Sequence, residues 1–232
     1  MKRRQNPITH SPVHRLVCLC VLVATSLAAE PKPLTQAHAH NDYEHARPLF
    51  DALDHGFGGI ESDVWLVEGR LLVAHDLKNV KPERTLAALY LEPLRERVAK
   101  NAGRVYRGGP PVVLLVDVKS EAVTTYAALQ VVLKDYTAML TTFRGAAVEE
   151  RAVTVILSGN RATKEIAAQP LRFVAVDGRS GDLETNPPVT LVPLISDNWQ
   201  KLFQWRWEGA MPAGERAKLD AFVARAHAQG RK

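Results

Sequence analysis

The chain has 232 residues and a formal charge of +5, but four basic side chains (Lys2, Arg3, Arg4 and Arg15) and no acidic one lie in residues 1–29, which leaves 26 basic against 25 acidic groups beyond them. That near-neutral remainder excludes the electrostatic footprint of a nucleic-acid binder. Both cysteines, Cys18 and Cys20, fall in the same stretch, so the rest of the chain has neither disulfide nor thiolate, and any metal must be held by carboxylates and histidines.

Residues 1–29 read as an address. The basic start is followed by 14 apolar or small residues from Leu16 to Ala29, too few to span a bilayer core, which needs about 20, but right for a cleaved secretory signal. The expectation is a signal peptide over 1–29 and an exported protein, periplasmic or secreted. Residues 30–232 are enough for one domain on the scale of about 100–200 residues per domain.

Strand-like apolar runs fall at 34–38, 59–65, 112–118, 153–157, 173–176 and 191–195, and helical patterns at 47–55, 85–100, 124–140, 161–168 and 214–229. Leu71-Leu-Val-Ala-His75 follows the second strand so closely that it predicts a hairpin. Continuous runs such as Val112-Val-Leu-Leu-Val-Asp-Val118 suit strands buried on both faces of a parallel sheet. Strands alternating with helices predict an α/β fold. No Gly-rich nucleotide loop follows any strand. Six core strands against the eight of a closed (β/α) barrel, with Gly230-Arg231-Lys232 directly after a helix, predict a TIM-type barrel that is incomplete, or truncated, at its C-terminus.

Polar residues gather where the strands end. Glu61 and Asp63, two apart on one strand, share a face, and so do Asp117 and Lys119. Carboxylates crowded inside an apolar fold are costly to desolvate, and a divalent cation on Glu61, Asp63 and Asp117 offsets that cost. An all-oxygen set favours Mg²⁺ or Ca²⁺. His40 and His75 bracket the carboxylates as general base and general acid. His38 shares a face with His40 and is expected to be a hydrogen-bonded core histidine. Lys119 is expected to meet an anionic substrate.

Ala39-His40-Asn41-Asp42, Ile60-Glu61-Ser62-Asp63-Val64, Leu72-Val73-Ala74-His75-Asp76 and Asp117-Val118-Lys119 together resemble the glycerophosphodiester phosphodiesterase family. That family belongs to a superfamily of barrel phosphodiesterases shared with bacterial phosphatidylinositol phospholipases C and spider-venom sphingomyelinase D. Within it the chain is most similar to the altered inheritance of mitochondria protein 6 branch, sharing Ala37-His-Ala-His-Asn-Asp-Tyr43. The resemblance implies a barrel, one Mg²⁺ or Ca²⁺ on Glu61, Asp63 and Asp117, and acid–base roles for His40 and His75.

Family members place Arg-Gly after the first His, and this chain has Asn41-Asp42 instead. Phosphate contact therefore falls to Lys119 or to Arg161, with Asn41 and Trp199 as further substrate-binding candidates. Only residues 77–84 separate His75-Asp76 from the next helix, where the family carries a glycerol-binding insertion. The expected substrate is thus a glycerophosphodiester or a (lyso)phospholipid-type phosphodiester, small-molecule or lipid. Trp199, Trp205 and Trp207 would pack a loop or form an apolar lip touching a membrane peripherally. No obligate protein partner is implied. Two alternatives stand beside this reading: a lapsed or truncated barrel that only binds, and an amidohydrolase-like metal hydrolase using His38 and His40.

Overall fold

The computed structural model describes residues 31–232, and the signal expected over 1–29 lies outside the described residues. In chain order the elements are β1 (Leu34–Ala39), α1 (Phe50–Asp54), β2 (Phe57–Val67), β3 (Arg70–Val73), α2 (Glu92–Lys100), β4 (Val112–Val118) and α3 (Ala122–Leu133). A hairpin of β5 (Thr142–Arg144) and β6 (Ala147–Glu149) leads to β7 (Val153–Gly159), α4 (Thr163–Ala167), β8 (Val174–Gly178), α5 (Asp182–Thr185), β9 (Leu194–Ile195), α6 (Trp199–Leu202) and α7 (Ala213–Ala228).

Six strands run parallel in the order β1-β2-β4-β7-β8-β9, and β3 pairs antiparallel with β2. The result is an α/β fold around a curled, half-barrel sheet. Side-chain alternation divides it into two faces. Ile60, Val64, Leu114, Val116, Val155, Leu157, Val174 and Val176 belong to the main core, with Leu94 and Val98 of α2 and Leu129 and Leu133 of α3. The opposite face carries a smaller buried group, Leu115, Ile156 and Ala175, closed by Phe143 from the β5–β6 hairpin. Glu61, Asp63, Asp117, Ser158 and Asp177 have the parity of this second face. Burying a side chain of leucine size contributes about 2 kcal/mol, so the apolar lower half of this face supports the polar upper half.

β2 is paired in an unusual way. Its first part lies beside β1, with His38 opposite Gly59 and Ala39 opposite Ile60, and its last part lies beside β3, with Val64 opposite Val73. Residues 61–63 fall between, flanked on that side by the end of β1 and the continuation of β3. Gly56, which turns the chain into β2, has φ +81°, and a Cβ there would stand 2.4 Å from the Lys32 carbonyl oxygen, so only glycine fits.

The strands expected at 112–118 and 153–157 form with matching starts, because their β-branched runs are buried on both faces. Other expectations are corrected. The helix expected over 124–140 starts two residues earlier, where Glu121 accepts from the Val123 and Thr124 amides at 2.9 and 2.8 Å. It stops at Leu133, because Met139 and Leu140 are drawn into bonding with Val153 at the foot of β7. The strand expected over 191–195 shrinks to Leu194–Ile195, since Pro193 has no N–H for a ladder. The β5–β6 hairpin and the short α5 and α6 were not expected. His38 is no core histidine: β1 is the edge of the sheet, and the His38 side chain is 43% exposed.

Candidate active site

The parallel register between β2 and β4 sets Asp63 directly opposite Asp117, and Glu61 opposite Leu115. Glu61, Asp63 and Asp117 each offer a carboxylate oxygen, and those oxygens all lie within 4.8 Å of one another. Glu61 and Asp63 are buried, and Asp117 is half-buried. Two of these carboxylates, Asp63 and Asp117, each have one oxygen, Oδ1, that is buried without a hydrogen-bond partner. Ligands on one Mg²⁺ or Ca²⁺ at about 2.0–2.6 Å stand at most about 5 Å apart. The donor set therefore fits a hard divalent cation, and the unpartnered oxygens show that the protein alone leaves these carboxylates unsatisfied.

The geometry around the carboxylates comes from backbone as much as from side chains. Gly159, at the end of β7, has φ +64°, and a Cβ there would lie 2.0 Å from Asp117 Oδ1. Asn41, just after β1, takes a left-handed conformation with φ 50° and donates its amide to Glu61 Oε2 at 3.1 Å. Lys119 Nζ lies 3.1 Å from both Asp63 Oδ2 and Asp117 Oδ2. One ammonium among three carboxylates leaves a negative excess.

The titrations follow from these contacts. Burial pushes the Glu61 carboxyl up, but His38, the Asn41 amide and His40 together hold it below the usual range. Burial raises Asp117, with Asp63 and Glu61 adding to the rise and Lys119 opposing it. Burial alone would lower Lys119, and its two aspartates outweigh that and raise it.

His40 and His75 approach from opposite directions. His40 follows β1, and its Nε2 is 3.5 Å from Glu61 Oε2; His75 follows β3, and its Nδ1 is 3.1 Å from Asp63 Oδ2. Their side chains are 74% and 55% exposed, so each ring touches a site carboxylate on one side and solvent on the other. A His75 ring carrying its proton on Nδ1 would donate it to this carboxylate. His38 Nε2 also reaches Glu61 Oε2, at 3.8 Å.

Tyr43 was missed in the sequence. Its hydroxyl lies 2.8 Å from Asp63 Oδ2, 3.0 Å from Asn41 Oδ1 and 3.3 Å from His75 Nδ1, so it ties the two loop ends to the acid. Burial first, then its bond to Asp63, raises the phenol well above its ordinary value, so it remains a donor. The signal that could have found it is its place three residues after His40 in a polar run. Asp42 points the other way, into the core, where Leu49 N–H at 2.5 Å and Tyr90 Oη at 2.9 Å donate to it.

Of the remaining substrate-binding candidates, one is in the cluster and two sit elsewhere. Asn41 spends its side-chain oxygen on Tyr43. Arg161, after β7, donates to the Asp177 carbonyl oxygen. Trp199, in α6, packs among Phe203, Trp205 and Trp207 at ring separations of 4.4, 6.1 and 6.0 Å, with its indole N–H on the Trp205 carbonyl. The structure thus brings Glu61, Asp63, Asp117, Lys119, His40, His75 and Asn41 together, and gives Arg161 and Trp199 other neighbours.

Residues 25–177 match the model of the AIM6-like phosphodiesterase domain. Altered inheritance of mitochondria protein 6 of Kluyveromyces lactis is 38% identical over 77 residues, covering 32% of this chain and 18% of that protein. The protein of the same name from Eremothecium gossypii is 31% identical over 172 residues, covering 66% of this chain and 44% of the relative. In Saccharomyces cerevisiae strain S288c the figures are 37% over 81 residues, 33% and 21%. The chain spans less than half the length of these curated relatives. No solved structure matches it. The relatives overturn the expected destination: fungal proteins named for the inheritance of mitochondria point to a eukaryotic cellular protein and not clearly to an exported, periplasmic one. With two thirds of its length matched, including every residue of the carboxylate cluster and both histidines, the chain belongs to the AIM6-like phosphodiesterase domain family.

Proposed function

We propose that the chain is a phosphoric diester hydrolase acting on a glycerophosphodiester or (lyso)phospholipid-type phosphodiester, with Mg²⁺ or Ca²⁺ on Glu61, Asp63 and Asp117. The observation that carries this reading is the convergence of three carboxylate oxygens within 4.8 Å, two of the carboxylates having a buried oxygen without a partner. In this reading the curled sheet is six strands of a TIM-type barrel, with the site at the strands' C-terminal ends as in barrel enzymes generally.

When bound, the cation supplies Lewis-acid polarisation of the phosphoryl oxygens. The chain supplies the rest. Lys119 places an ammonium over the same oxygens, and its two aspartate contacts keep it charged. In this reading His75 holds its proton on Nδ1 against Asp63 and presents Nε2. His40, on the other side of Glu61, is the second proton carrier: one ring takes the proton of the attacking hydroxyl or water, and the other returns a proton to the leaving oxygen. Trp207, 59% exposed, gives a lipid substrate an apolar surface to rest on.

The test is hydrolysis of bis(p-nitrophenyl) phosphate, glycerophosphodiesters and lysophospholipids by the full chain with Mg²⁺ or Ca²⁺. Turnover should vanish with EDTA and in His40→Ala. Hydrolysis that persists through both would sink the proposal.

The contact of Lys119 with Asp63 and Asp117 favours a second reading, in which the ammonium neutralises the cluster and the domain binds a phosphodiester without cleaving it. That reading predicts thermal stabilisation by a phosphodiester, with no product formed over hours at any metal concentration.

A further inference from the structure

The polar row that begins with Asp63 and Asp117 continues past the carboxylate cluster. Ser158 of β7 is the register partner of Asp117. Next to it, on β8, stands Asp177, whose Oδ2 accepts from Ser158 Oγ at 2.7 Å and from Ser196 Oγ at 2.8 Å. Two guanidinium groups meet on this one buried residue: Arg179 Nη1 donates to its carboxylate, and Arg161 Nη1 donates to its carbonyl oxygen.

The two arginines are held differently. Arg179 is caged, with Nη1 also donating to the Gly178 carbonyl at 2.9 Å and Ser196 Oγ at 3.1 Å, and Nη2 to Ser158 Oγ at 3.2 Å. Arg161 makes no ion pair among the described residues, so most of its planar fork is unspent. Both are half-buried. Burial disfavours the charge on Arg161, and the neighbouring Arg179 disfavours it further, with Asp177, Asp182 and Asp117 only partly compensating. Two neighbouring guanidiniums in a partly dry niche, one of them held only through a carbonyl oxygen, gain from a bound oxyanion, and a guanidinium fork matches such a group with two parallel bonds.

Position gives this niche its meaning. β7 and β8 are one and two strands beyond β4, and adjacent strands lie about 4.8 Å apart, so the strand ends that lead into Arg161 and Arg179 stand roughly 5–10 Å from the end of β4 along the sheet. We propose that Arg161 and Arg179 form an anion subsite that receives a second negatively charged group of the substrate, a phosphate monoester or a carboxylate borne a few bonds from the scissile diester. The link to a diester rests on the function proposed above; the subsite itself rests on the arginine geometry. It makes the preferred substrate a diester with an anionic substituent rather than a choline-like, cationic one.

The experiment separates the two claims. Inorganic phosphate is titrated calorimetrically into the full chain in EDTA, so that no divalent cation contributes. Arg161→Gln should weaken phosphate binding at least tenfold, and Arg161→Lys, which keeps the charge and loses the fork, should weaken it less. In the presence of Mg²⁺, the ratio of kcat/KM for a p-nitrophenyl diester with a carboxylate on its other arm to that for bis(p-nitrophenyl) phosphate should fall about tenfold in Arg161→Gln, where each tenfold corresponds to about 1.4 kcal/mol. Equal phosphate affinity in wild type and Arg161→Gln, or a ratio unmoved by the substitution, overturns the subsite while leaving the diesterase reading intact. Arginine-dependent phosphate binding with neither diester cleaved upholds the subsite and removes the diesterase.

Discussion

Over β2 and β4 three carboxylates share one ammonium, whereas over β7 and β8 two guanidiniums share one buried aspartate. Both groups occupy the same row of one sheet, at the same ends of its strands, above the same apolar floor of Leu115, Ile156 and Ala175. Burial is therefore not what distinguishes them; the kind of group left without a partner is. The acid-rich end has unspent oxygens suited to a cation, and the base-rich end has an unspent fork suited to an anion. A molecule carrying both a coordinated phosphate and a free negative group would lie along this gradient.

Substitutions can break the comparison at either end. The largest effect is expected from Asp117→Asn, which removes a cluster oxygen: diester turnover should fall by about 10³-fold or more, and the rise in Tm on adding Mg²⁺ should shrink in the same preparation. His75→Ala should lower kcat by about 10²–10³-fold, the range for a lost acid–base group, and leave the Mg²⁺-dependent Tm rise in place.

Tyr43→Phe sharpens the account of the acid-rich end. It keeps the ring and removes the hydroxyl that links Asp63, Asn41 and His75, so a loss of about 10–100-fold in activity or metal affinity is expected, the usual scale for a group that orients a ligand. Gly159→Ala introduces a Cβ against Asp117 Oδ1 at a positive φ and should cost about 1–3 kcal/mol in stability. Gly69→Ala is its control: φ is +76° with no atom within 4 Å of the added carbon, so it bears the backbone strain without disturbing the site.

The smallest effect concerns Asp197, which braces the base-rich end by accepting from Ser180 N and Oγ at 3.1 and 2.5 Å and from Asn198 N at 2.8 Å. Burial opposes its ionisation, but these donors win and hold its carboxyl down at about 2. A carboxyl lowered in the folded state stabilises at pH values above its unfolded value near 4 and stops doing so as pH falls toward 2. Asp197→Asn should therefore cost about 1 kcal/mol at pH 7, and its Tm should converge with that of wild type near pH 2.

How much of this was readable beforehand depends on the range of the interactions. β4 and β7 are legible because a continuous Val, Leu and Ile run reports double-sided burial locally. The pairing of Glu61 with Asp63, and of Asp117 with Lys119, is legible because period-two spacing sets each pair on one face, whereas His40 and His75 stand out only by bracketing the acids in sequence. Phe143 is not: nothing in Thr142-Phe-Arg announces that a small hairpin will fold under the sheet until its bridge to Arg172 is seen. Arg179 reads as a turn residue after Asp177-Gly178, and only the meeting of β7 with β8 turns it toward Ser158. His38 was misplaced because edge status belongs to the whole sheet and leaves no trace in six residues.

The split pairing of β2 has one more outcome. Among the described residues no hydrogen bond ties His40 to His75 directly; their separation is counted out in peptide units, one ring hanging from the end of β1 and the other from a ribbon that doubles back through Glu68 and Gly69. The ribbon works as a gauge. Sliding β3 by two residues along β2 would carry His75 about 7 Å and keep it facing the acids, while a slide of one would turn it away. The spacing of the two imidazoles is thus written into the length of a turn at the far end of that ribbon.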